Sequence, residues 1–211
     1  SVDIKTLGNA AETRLKLNKY DTDGNLIEQQ KAGDVLKSYI WDYNSIYPIA
    51  EATNAAQTDI AYTSFEADGS GGWTIGSGSW DSTHAITGRR SHVLNSDISR
   101  TGLSSSKTYI VSYWSGNSSN AYTIPGTLSG SPVKGKTITI NGTSWTFYVH
   151  KITGQTSVAI NGSGHIDELR LYPVEAQMTT YTYQPLVGMT SACDVGNRIT
   201  YYEYDGLQRL K

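Results

Sequence analysis

Short runs of alternating apolar and polar residues, separated by turns, characterise the first part of the chain. Leucine and isoleucine alternate with lysine and glutamate on either side of Asp23-Gly24. An Asp-Gly dipeptide between two alternating runs favours a β-hairpin, because glycine adopts a positive φ without steric cost. We therefore predict that residues 14–20 pair with residues 25–32. A second hairpin is predicted between residues 35–42 and 47–51.

The middle of the chain, residues 60–173, has a different pattern. It is rich in glycine, serine and tryptophan, and Asn141-Gly142 predicts a tight hairpin. Turn signals recur at a spacing of about ten residues, which is typical of a β-sandwich or barrel. The predicted strands are 62–66, 73–75, 91–94, 109–115, 137–140, 144–150, 157–160 and 166–172.

The last part, residues 174–211, returns to the pattern of the first, and residues 204–210 echo residues 20–26. Tyrosine and tryptophan supply nearly all the aromatic side chains and lie among threonine, isoleucine and valine, a mixture that favours strands over helices. The fold class predicted is all-β. The predicted domains are residues 1–59, 60–173 and 174–211.

Composition and charge exclude several functions. The 211 residues include 17 Lys+Arg and 19 Asp+Glu, so no basic surplus is present to neutralise a phosphate backbone and nucleic acid is not expected as a partner. No run is apolar enough for a membrane span, and residues 1–19 lack the apolar core of a signal peptide. A single cysteine, Cys193, excludes an internal disulfide framework and is expected to be a buried small side chain.

The tyrosine-rich motifs of both flanks resemble a known family. The motifs are Tyr20-Asp21-x-x-Gly24-Asn25-Leu26, residues 39–44, residues 47–51 and residues 201–210. They resemble the RHS/YD-repeat proteins of bacteria, most closely the long secreted or surface-attached proteins of the Bacteroidetes type. The resemblance implies that each repeat is a β-hairpin of a long curling sheet, that this chain is part of a longer RHS-repeat protein, and that the remainder of that protein is a partner.

A second resemblance covers the middle of the chain. Ser64-Phe65-Glu66 followed by Gly72-Trp73, residues 109–114, and residues 165–171 resemble the opening, central and closing strands of jelly-roll carbohydrate-binding modules of the galactose-binding-like class. A jelly roll inserted between repeat hairpins needs ends that lie close together. We therefore expect residues 62–66 and 166–172 to pair antiparallel.

Pairing of those strands would bring Glu66 and Asp167 together. The resemblance implies a structural Ca²⁺ at these two carboxylates, and carboxylates with loop carbonyls are the ligands that Ca²⁺ prefers. Residues 88–92 are a possible source of the carbonyls. In the alternative interpretation Glu66 caps a loop and Asp167 accepts hydrogen bonds from loop N–H groups.

The aromatic side chains of the middle zone are candidates for sugar stacking, because flat tyrosine and tryptophan faces offer large contact areas at small entropic cost. Alternation places Tyr109, Val111 and Tyr113 inward and Trp114 outward. In the next strand it places Trp145 with Phe147 and Val149 inward and Tyr148 outward, while Trp73 is also expected in the core. The predicted carbohydrate-binding residues are Trp114, Tyr148, Trp80, Tyr122, Arg89, Arg90, Asn117 and Asn120.

No catalytic arrangement accompanies these residues. The four histidines show no His-Glu-x-x-His spacing, and neither a Gly-x-Ser-x-Gly elbow nor a phosphate-binding loop is present. Glu66 and Asp167, at a strand junction, suit a glycosidase cleft badly. The sequence predicts a non-enzymatic, secreted or cell-surface protein that binds a polysaccharide or surface glycan. The alternative is a structural or interaction spacer of an RHS-repeat shell without a sugar ligand.

Overall fold

The protein is all-β in the computed structural model, which describes residues 2–4, 12–76, 79–116 and 121–211. Its strands are antiparallel and form three sheets, and one 3₁₀ turn, Gln57–Asp59, precedes the middle sheets. The described parts of the chain contain no α-helix. The predicted fold class is therefore confirmed at this level, and the layered sheets are consistent with a β-sandwich.

The largest sheet has eight strands and joins the two flanks of the chain. Strands from the first fifty-three residues continue directly into strands from the last thirty-five, because residues 50–53 pair with residues 177–180. In spatial order they are β1 (Val2–Ile4), β2 (Glu12–Tyr20), β3 (Leu26–Lys31), β4 (Leu36–Asp42), β5 (Tyr47–Thr53), β16 (Gln177–Gln184), β17 (Gly188–Cys193) and β18 (Ile199–Tyr201).

The middle of the chain forms a seven-stranded sheet and a three-stranded sheet. The seven strands are β12 (Val133–Ile140), β13 (Thr143–Thr153), β11 (Thr108–Ser115), β15 (Gly164–Pro173), β9 (Ser91–Leu94) and β8 (Ser79–Asp81), with β6 (Ala61–Thr63) also paired to β15. The three strands are β14 (Ser157–Ile160), β10 (Ile98–Thr101) and β7 (Thr74–Ile75).

The hairpins predicted from the turn dipeptides are present. Strand β2 pairs with β3 and β4 pairs with β5, both antiparallel. Asn141 and Gly142 join β12 to β13 with φ values of 49° and 80°, the left-handed pair that a two-residue hairpin turn requires. The predicted pairing of the first and last strands of the middle zone is also present, with β6 antiparallel to β15.

The sandwich core lies between the seven-stranded and three-stranded sheets. It contains Trp73 and the inward face of β11, formed by Tyr109, Val111 and Tyr113. Ile98 and Ile160 supply the facing side chains of the smaller sheet. The predicted burial of Trp73 and the inward set of β11 are therefore confirmed.

The prediction that Trp114 and Tyr148 are exposed was wrong. Trp114 does lie on the opposite face of β11 from Tyr113, but it is 0% exposed, because Ile86, Trp145 and strand β18 cover that face. In β13 the two faces are the reverse of those predicted. Tyr148 is 4% exposed and lies in the sandwich core, whereas Trp145 contacts Trp114 outside it. Alternation could not orient β13, because both of its faces carry aromatic residues.

A bulge in β15 turns two charged side chains toward the eight-stranded sheet. The pairing register between β11 and β15 shifts between Ser112 and Trp114. On the β15 side, Glu168 has a φ of 53°. As a result Leu169 enters the sandwich core while Glu168 and Arg170 point to the other side of the strand. A β-bulge has this effect because one extra residue shifts the alternation.

Glu168 and Arg170 form a buried ion pair that joins the two large sheets. Arg170 Nη2 donates to Glu168 Oε2 at 2.9 Å and to Thr180 Oγ1 of β16 at 2.8 Å. Tyr62 of β6 donates to Glu168 Oε1 at 2.6 Å, and Thr180 donates to Oε2 at 2.9 Å. Side-chain exposure is 3% for Arg170 and 1% for Glu168. Arg170 Nη1 also donates to the Asp194 carbonyl at 3.4 Å. Among the described residues, these contacts replace the water that both charges lose on burial.

We predict that Arg170→Met destabilises the fold by about 3–5 kcal/mol, since it leaves the Glu168 carboxylate buried without its cation. Urea unfolding measures the loss, and the double variant Arg170→Met/Glu168→Gln should regain part of it. Arg198→Met is the matched control, because the Arg198–Asp194 pair is exposed and such pairs contribute about 1 kcal/mol or less. A cost of the same size in both single variants would contradict the prediction.

Burial of His150 predicts a pH-dependent stability. The ring contacts the Tyr113 hydroxyl at 3.0 Å and Thr127 Oγ1 at 3.1 Å, and burial lowers the pKa of His150 from 6.5 to about 4. As pH falls through this window the unfolded chain gains a proton that the folded state excludes, so stability falls.

The stability difference between the wild type and His150→Gln should therefore shift by about 2–3 kcal/mol in favour of the variant from neutral pH to about pH 4.5. Urea unfolding at each pH measures it. Lys151→Gln, at the exposed neighbouring position, is the control. If the stability of the wild type and that of His150→Gln changed with pH in parallel, His150 would not be the source of the pH dependence.

Candidate functional site

The structure divides the predicted carbohydrate-binding residues into three groups. Trp114, Tyr148 and Tyr122 are buried, at 0%, 4% and 5% exposure, and offer no face to a ligand. Tyr122 stacks on Tyr113 and its hydroxyl donates to the His165 carbonyl. Asn117 and Asn120 lie outside the described residues. The remaining three are at the surface: Trp80, Arg89 and Arg90.

Trp80, Arg89 and Arg90 lie close together at one edge of the seven-stranded sheet. Trp80 belongs to the edge strand β8 and is 47% exposed. The guanidinium of Arg90 lies 5.4 Å from the centroid of the Trp80 ring, an arrangement that attracts the cation to the indole face. Phe65 and His92 support the same indole from inside the sheet, at centroid distances of 5.9 and 5.4 Å.

A cleft of about 570 Å³ opens beside these residues. We call it the tyrosine cleft. It lies between the eight-stranded sheet and the loops of the sandwich, and its aromatic wall comes from the former while its charged wall comes from the latter. Its lining includes Tyr43, Tyr47, Tyr183, Glu66, Asp68, Arg89, Arg90 and Leu186.

The aromatic wall is a rigid tyrosine cluster. Tyr47 and Tyr183 stack with centroids 4.8 Å apart and an interplanar angle of 16°, and Tyr43 meets both edge-on. The Tyr183 hydroxyl donates to the Pro48 carbonyl, and the backbone N–H of Tyr183 donates to the Tyr43 hydroxyl. Burial raises the pKa of Tyr183 to about 12. The phenol is therefore uncharged at neutral pH.

Asp42 holds together two segments whose residues line the tyrosine cleft. Its Oδ1 accepts hydrogen bonds from the backbone N–H groups of Tyr43 at 2.7 Å and Gly69 at 2.9 Å. A Cβ at Gly69 would lie 2.7 Å from that oxygen, so only glycine allows this approach. One carboxylate thus ties the turn after β4 to the loop that carries Glu66 and Asp68.

The turn carrying Tyr43 also explains why sequence analysis did not identify the cleft. Tyr43, Asn44 and Ser45 all have positive φ, a conformation that the alternation pattern does not reveal. Tyr43 and Tyr183 are 140 positions apart, and they meet only because β5 pairs with β16. The tyrosine repeats themselves were the available signal, but they indicated hairpins rather than a ligand site.

Glu66 and Asp167 lie on either side of the loop formed by residues 86–90. Asp167 Oδ2 accepts the N–H groups of Ile86 and Thr87 at 2.9 and 3.1 Å. Glu66 Oε1 accepts the N–H groups of Arg89 and Arg90 at 2.7 and 2.5 Å. The loop thus presents amide donors to both carboxylates, which is the arrangement of the alternative interpretation.

Burial raises the pKa of Asp167 well above its usual range, and it also raises the pKa of Glu66. Hydrogen bonds from the loop amides lower both pKa values, but by less than burial raises them. Asp167 is 0% exposed. In the described part of the chain no lysine, arginine or histidine forms an ion pair with it. The two carboxylates match a hard cation in charge. Backbone N–H groups, however, already donate to three of the four carboxylate oxygens, because Asp167 Oδ1 also accepts the N–H of Glu168 at 2.7 Å.

A third group of polar side chains was missed by sequence analysis. Asp81, His84 and His165 bring one carboxylate and two imidazoles together, with all three candidate donor atoms within 4.8 Å of one another. Only the Asp81-x-x-His84 spacing was visible in the sequence, and His165 comes from a strand eighty residues further along the chain. Burial is the largest single influence on the pKa of Asp81 and raises it. The hydrogen bonds from Thr83 and His84 together outweigh burial and hold this pKa below its usual range.

Cys193 is a buried free thiol, as expected, and lies 3.3 Å from Asn197 Oδ1. Burial raises the pKa of this thiol to about 12. A thiol protonated in this way is a poor nucleophile.

Comparisons with known proteins identify no relative: no family model, curated protein or solved structure matches the chain. Within the described residues, no helix has the length and apolar character needed to cross a membrane.

Proposed function

We propose that this chain is a non-catalytic carbohydrate-binding module and that the tyrosine cleft is its binding site. The observation that carries the proposal is the composition of the cleft, where a stacked tyrosine pair faces Arg89, Arg90 and Asp68. Aromatic faces contact the apolar C–H faces of sugar rings, and charged side chains hydrogen-bond the hydroxyls around them. Trp80 extends this surface at the edge of the cleft through its contact with Arg90.

The family context belongs to the same proposal. We infer that the flanks are YD-repeat hairpins of a longer RHS-repeat protein and that residues 60–173 are an inserted jelly-roll module. Continuity of the eight-stranded sheet through β5 and β16 supports this interpretation, since the flanks pair with each other while the middle zone forms its own sheets. The partner would be a polysaccharide or surface glycan, met outside the cell or at the bacterial surface.

The test uses two exposed side chains, so that folding is preserved. In Trp80→Ala/Arg89→Ala the backbone N–H of residue 89 still caps Glu66. We expect binding in a polysaccharide pull-down and glycan-array screen to weaken at least about tenfold, which corresponds to about 1.4 kcal/mol. Tyr20→Ala/Lys151→Ala removes an exposed aromatic residue and an exposed cation elsewhere. Wild-type binding that survives equally in both double variants would place the site outside this region.

A second variant tests the cleft itself. Leu186, at its mouth, is 88% exposed, and Leu186→Glu introduces a charged side chain there without disturbing the core. We expect the variant to lose binding to the polysaccharide found in the screen. Leu207→Glu is the control, because Leu207 is 74% exposed and lies outside the cleft lining. Equal binding by the two variants would argue against the cleft.

Calcium at Glu66 and Asp167 is also part of the proposal. Its support is the burial of Asp167 without a cationic partner in the described residues, since a bound cation would compensate that charge. Backbone N–H groups already donate to both carboxylate oxygens of Asp167. A bound ion would therefore need further oxygen ligands, which the surrounding loop would have to supply.

We predict that Ca²⁺ at one hundred times its Kd stabilises the chelator-treated protein by about 2.7 kcal/mol, or about 5–10 °C in Tm for a chain of this length. Thermal melts and calorimetric titration measure the effect, and Asp167→Asn should abolish it. Asp205→Asn, at another aspartate that accepts loop N–H groups, should retain it. An unchanged Tm in the wild type would leave amide capping as the sole role of the pair.

The second candidate function is a rigid spacer within an RHS-repeat shell. It is favoured by the burial of Trp114 beneath a cluster that includes Ile199 of β18, and by the Glu168–Arg170 network between the sheets. Both features integrate the sandwich into the repeat sheet. A glycan screen with no binding, combined with a single cooperative unfolding transition for the whole chain, would favour the spacer.

A further inference from the structure

The side chains of Asp81, His84 and His165 converge at the edge of the seven-stranded sheet that also carries Trp80, and none of the three lines the tyrosine cleft. Asp81 ends the edge strand β8, His84 follows it in the next loop, and His165 lies near the start of β15. Strand β9 separates β8 from β15, and Ser91 of β9 lies within 3.3 Å of His165 Nδ1. The cluster therefore spans three adjacent strands.

One carboxylate oxygen is directed at both imidazoles. Asp81 Oδ2 lies 2.6 Å from His84 Nδ1 and 3.4 Å from His165 Nδ1. The other oxygen, Oδ1, accepts hydrogen bonds from the N–H and the hydroxyl of Thr83 at 2.7 and 2.6 Å. Thr83 thus holds the carboxylate in the orientation that leaves Oδ2 available, as residues behind metal ligands commonly do.

We propose that Asp81, His84 and His165 form a binding site for Zn²⁺ or a similar divalent transition metal. Two imidazoles and one carboxylate are ligands typical of zinc, and three protein ligands leave a fourth tetrahedral position for water. Bonds of the usual length place tetrahedral ligand atoms about 3.4 Å apart. The Asp81–His165 distance already has this value, and the Asp81–His84 contact has to open by less than 1 Å.

Access to the site and its chemistry agree with this assignment. Side-chain exposure is 41% for His84 and 27% for His165, so an ion can enter from solvent and keep a water ligand. The hard cations Ca²⁺ and Mg²⁺ prefer all-oxygen sites. The site is therefore distinct in specificity from the carboxylate pair Glu66 and Asp167, and it does not depend on the proposed glycan binding.

A bound metal would also fasten the edge of the sheet. Within the part of the chain that the structure describes, strand β8 spans three residues and pairs with β9 alone. Coordination of Asp81 together with His165 would link β8 to β15 across β9, and the adjacent Trp80 lies on the same short strand. Zinc should therefore protect the backbone amides of β8 from hydrogen exchange.

Calorimetric titration of the metal-free full chain with ZnCl₂ tests the proposal. We expect one equivalent of Zn²⁺ to bind, and binding to weaken at least about tenfold in His84→Ala. That substitution removes a half-exposed side chain and should leave the fold intact, which near-ultraviolet circular dichroism checks. Glu66→Gln is the control and should bind Zn²⁺ as the wild type does, and excess Mg²⁺ or Ca²⁺ should leave the isotherm unchanged.

Cobalt substitution gives a second readout. Co²⁺ in a tetrahedral site of nitrogen and oxygen ligands absorbs visible light far more strongly than hydrated Co²⁺, and Zn²⁺ should displace it. We expect this absorption in the wild type and its loss in both His84→Ala and His165→Gln. Zinc affinity that is equal in the wild type and the double variant His84→Ala/His165→Gln, or a cobalt spectrum identical to that of the hydrated ion, would overturn the proposal.

Discussion

The buried Glu168–Arg170 pair is the interaction on which the arrangement of the large sheets depends. It exists because a bulge in β15 reverses the side-chain alternation, sending Glu168 and Arg170 out of the sandwich and toward β16. Neither charge has access to water, and a buried charge is tolerated only when paired and hydrogen-bonded. Tyr62 and Thr180 complete that pairing from two different sheets. The network is therefore satisfied only when the eight-stranded sheet lies against the sandwich.

This contact determines which aromatic residues are available to a ligand. The outer face of β11, which would be open in an isolated sandwich, is covered, so that Trp114 becomes part of a core. The same contact creates the tyrosine cleft at its margin, where Tyr43, Tyr47 and Tyr183 of the eight-stranded sheet face Arg89 and Arg90 of the sandwich. The burial of Trp114 and the accessibility of the tyrosine cleft therefore both result from the way the eight-stranded sheet packs against the sandwich.

Much of the local structure was predictable from the chain alone. Asp23-Gly24 and Asn141-Gly142 marked hairpin turns correctly, because a positive φ is a local requirement that few residues meet. The pairing of β6 with β15 followed from motifs at both ends of the middle zone. The candidate sites were less predictable. Trp80, Arg89 and Arg90 were named as candidate carbohydrate-binding residues, whereas the tyrosine wall and the Asp81–His84–His165 cluster each combine residues from distant strands.

The sequence by itself determined most of the strands, although not β8 and β10, and it also determined the turns and the neighbours joined by short connections. These features depend on backbone preferences and on alternation within a few residues. Only the tertiary structure decided which face of each strand meets solvent. Both faces of β11 and β13 carry large apolar side chains, so alternation cannot distinguish a core from a covered outer surface. That distinction depends on the docking of one sheet on another, a long-range contact made by residues more than a hundred positions apart, such as Tyr201 of β18 and Ile86 beside the sandwich.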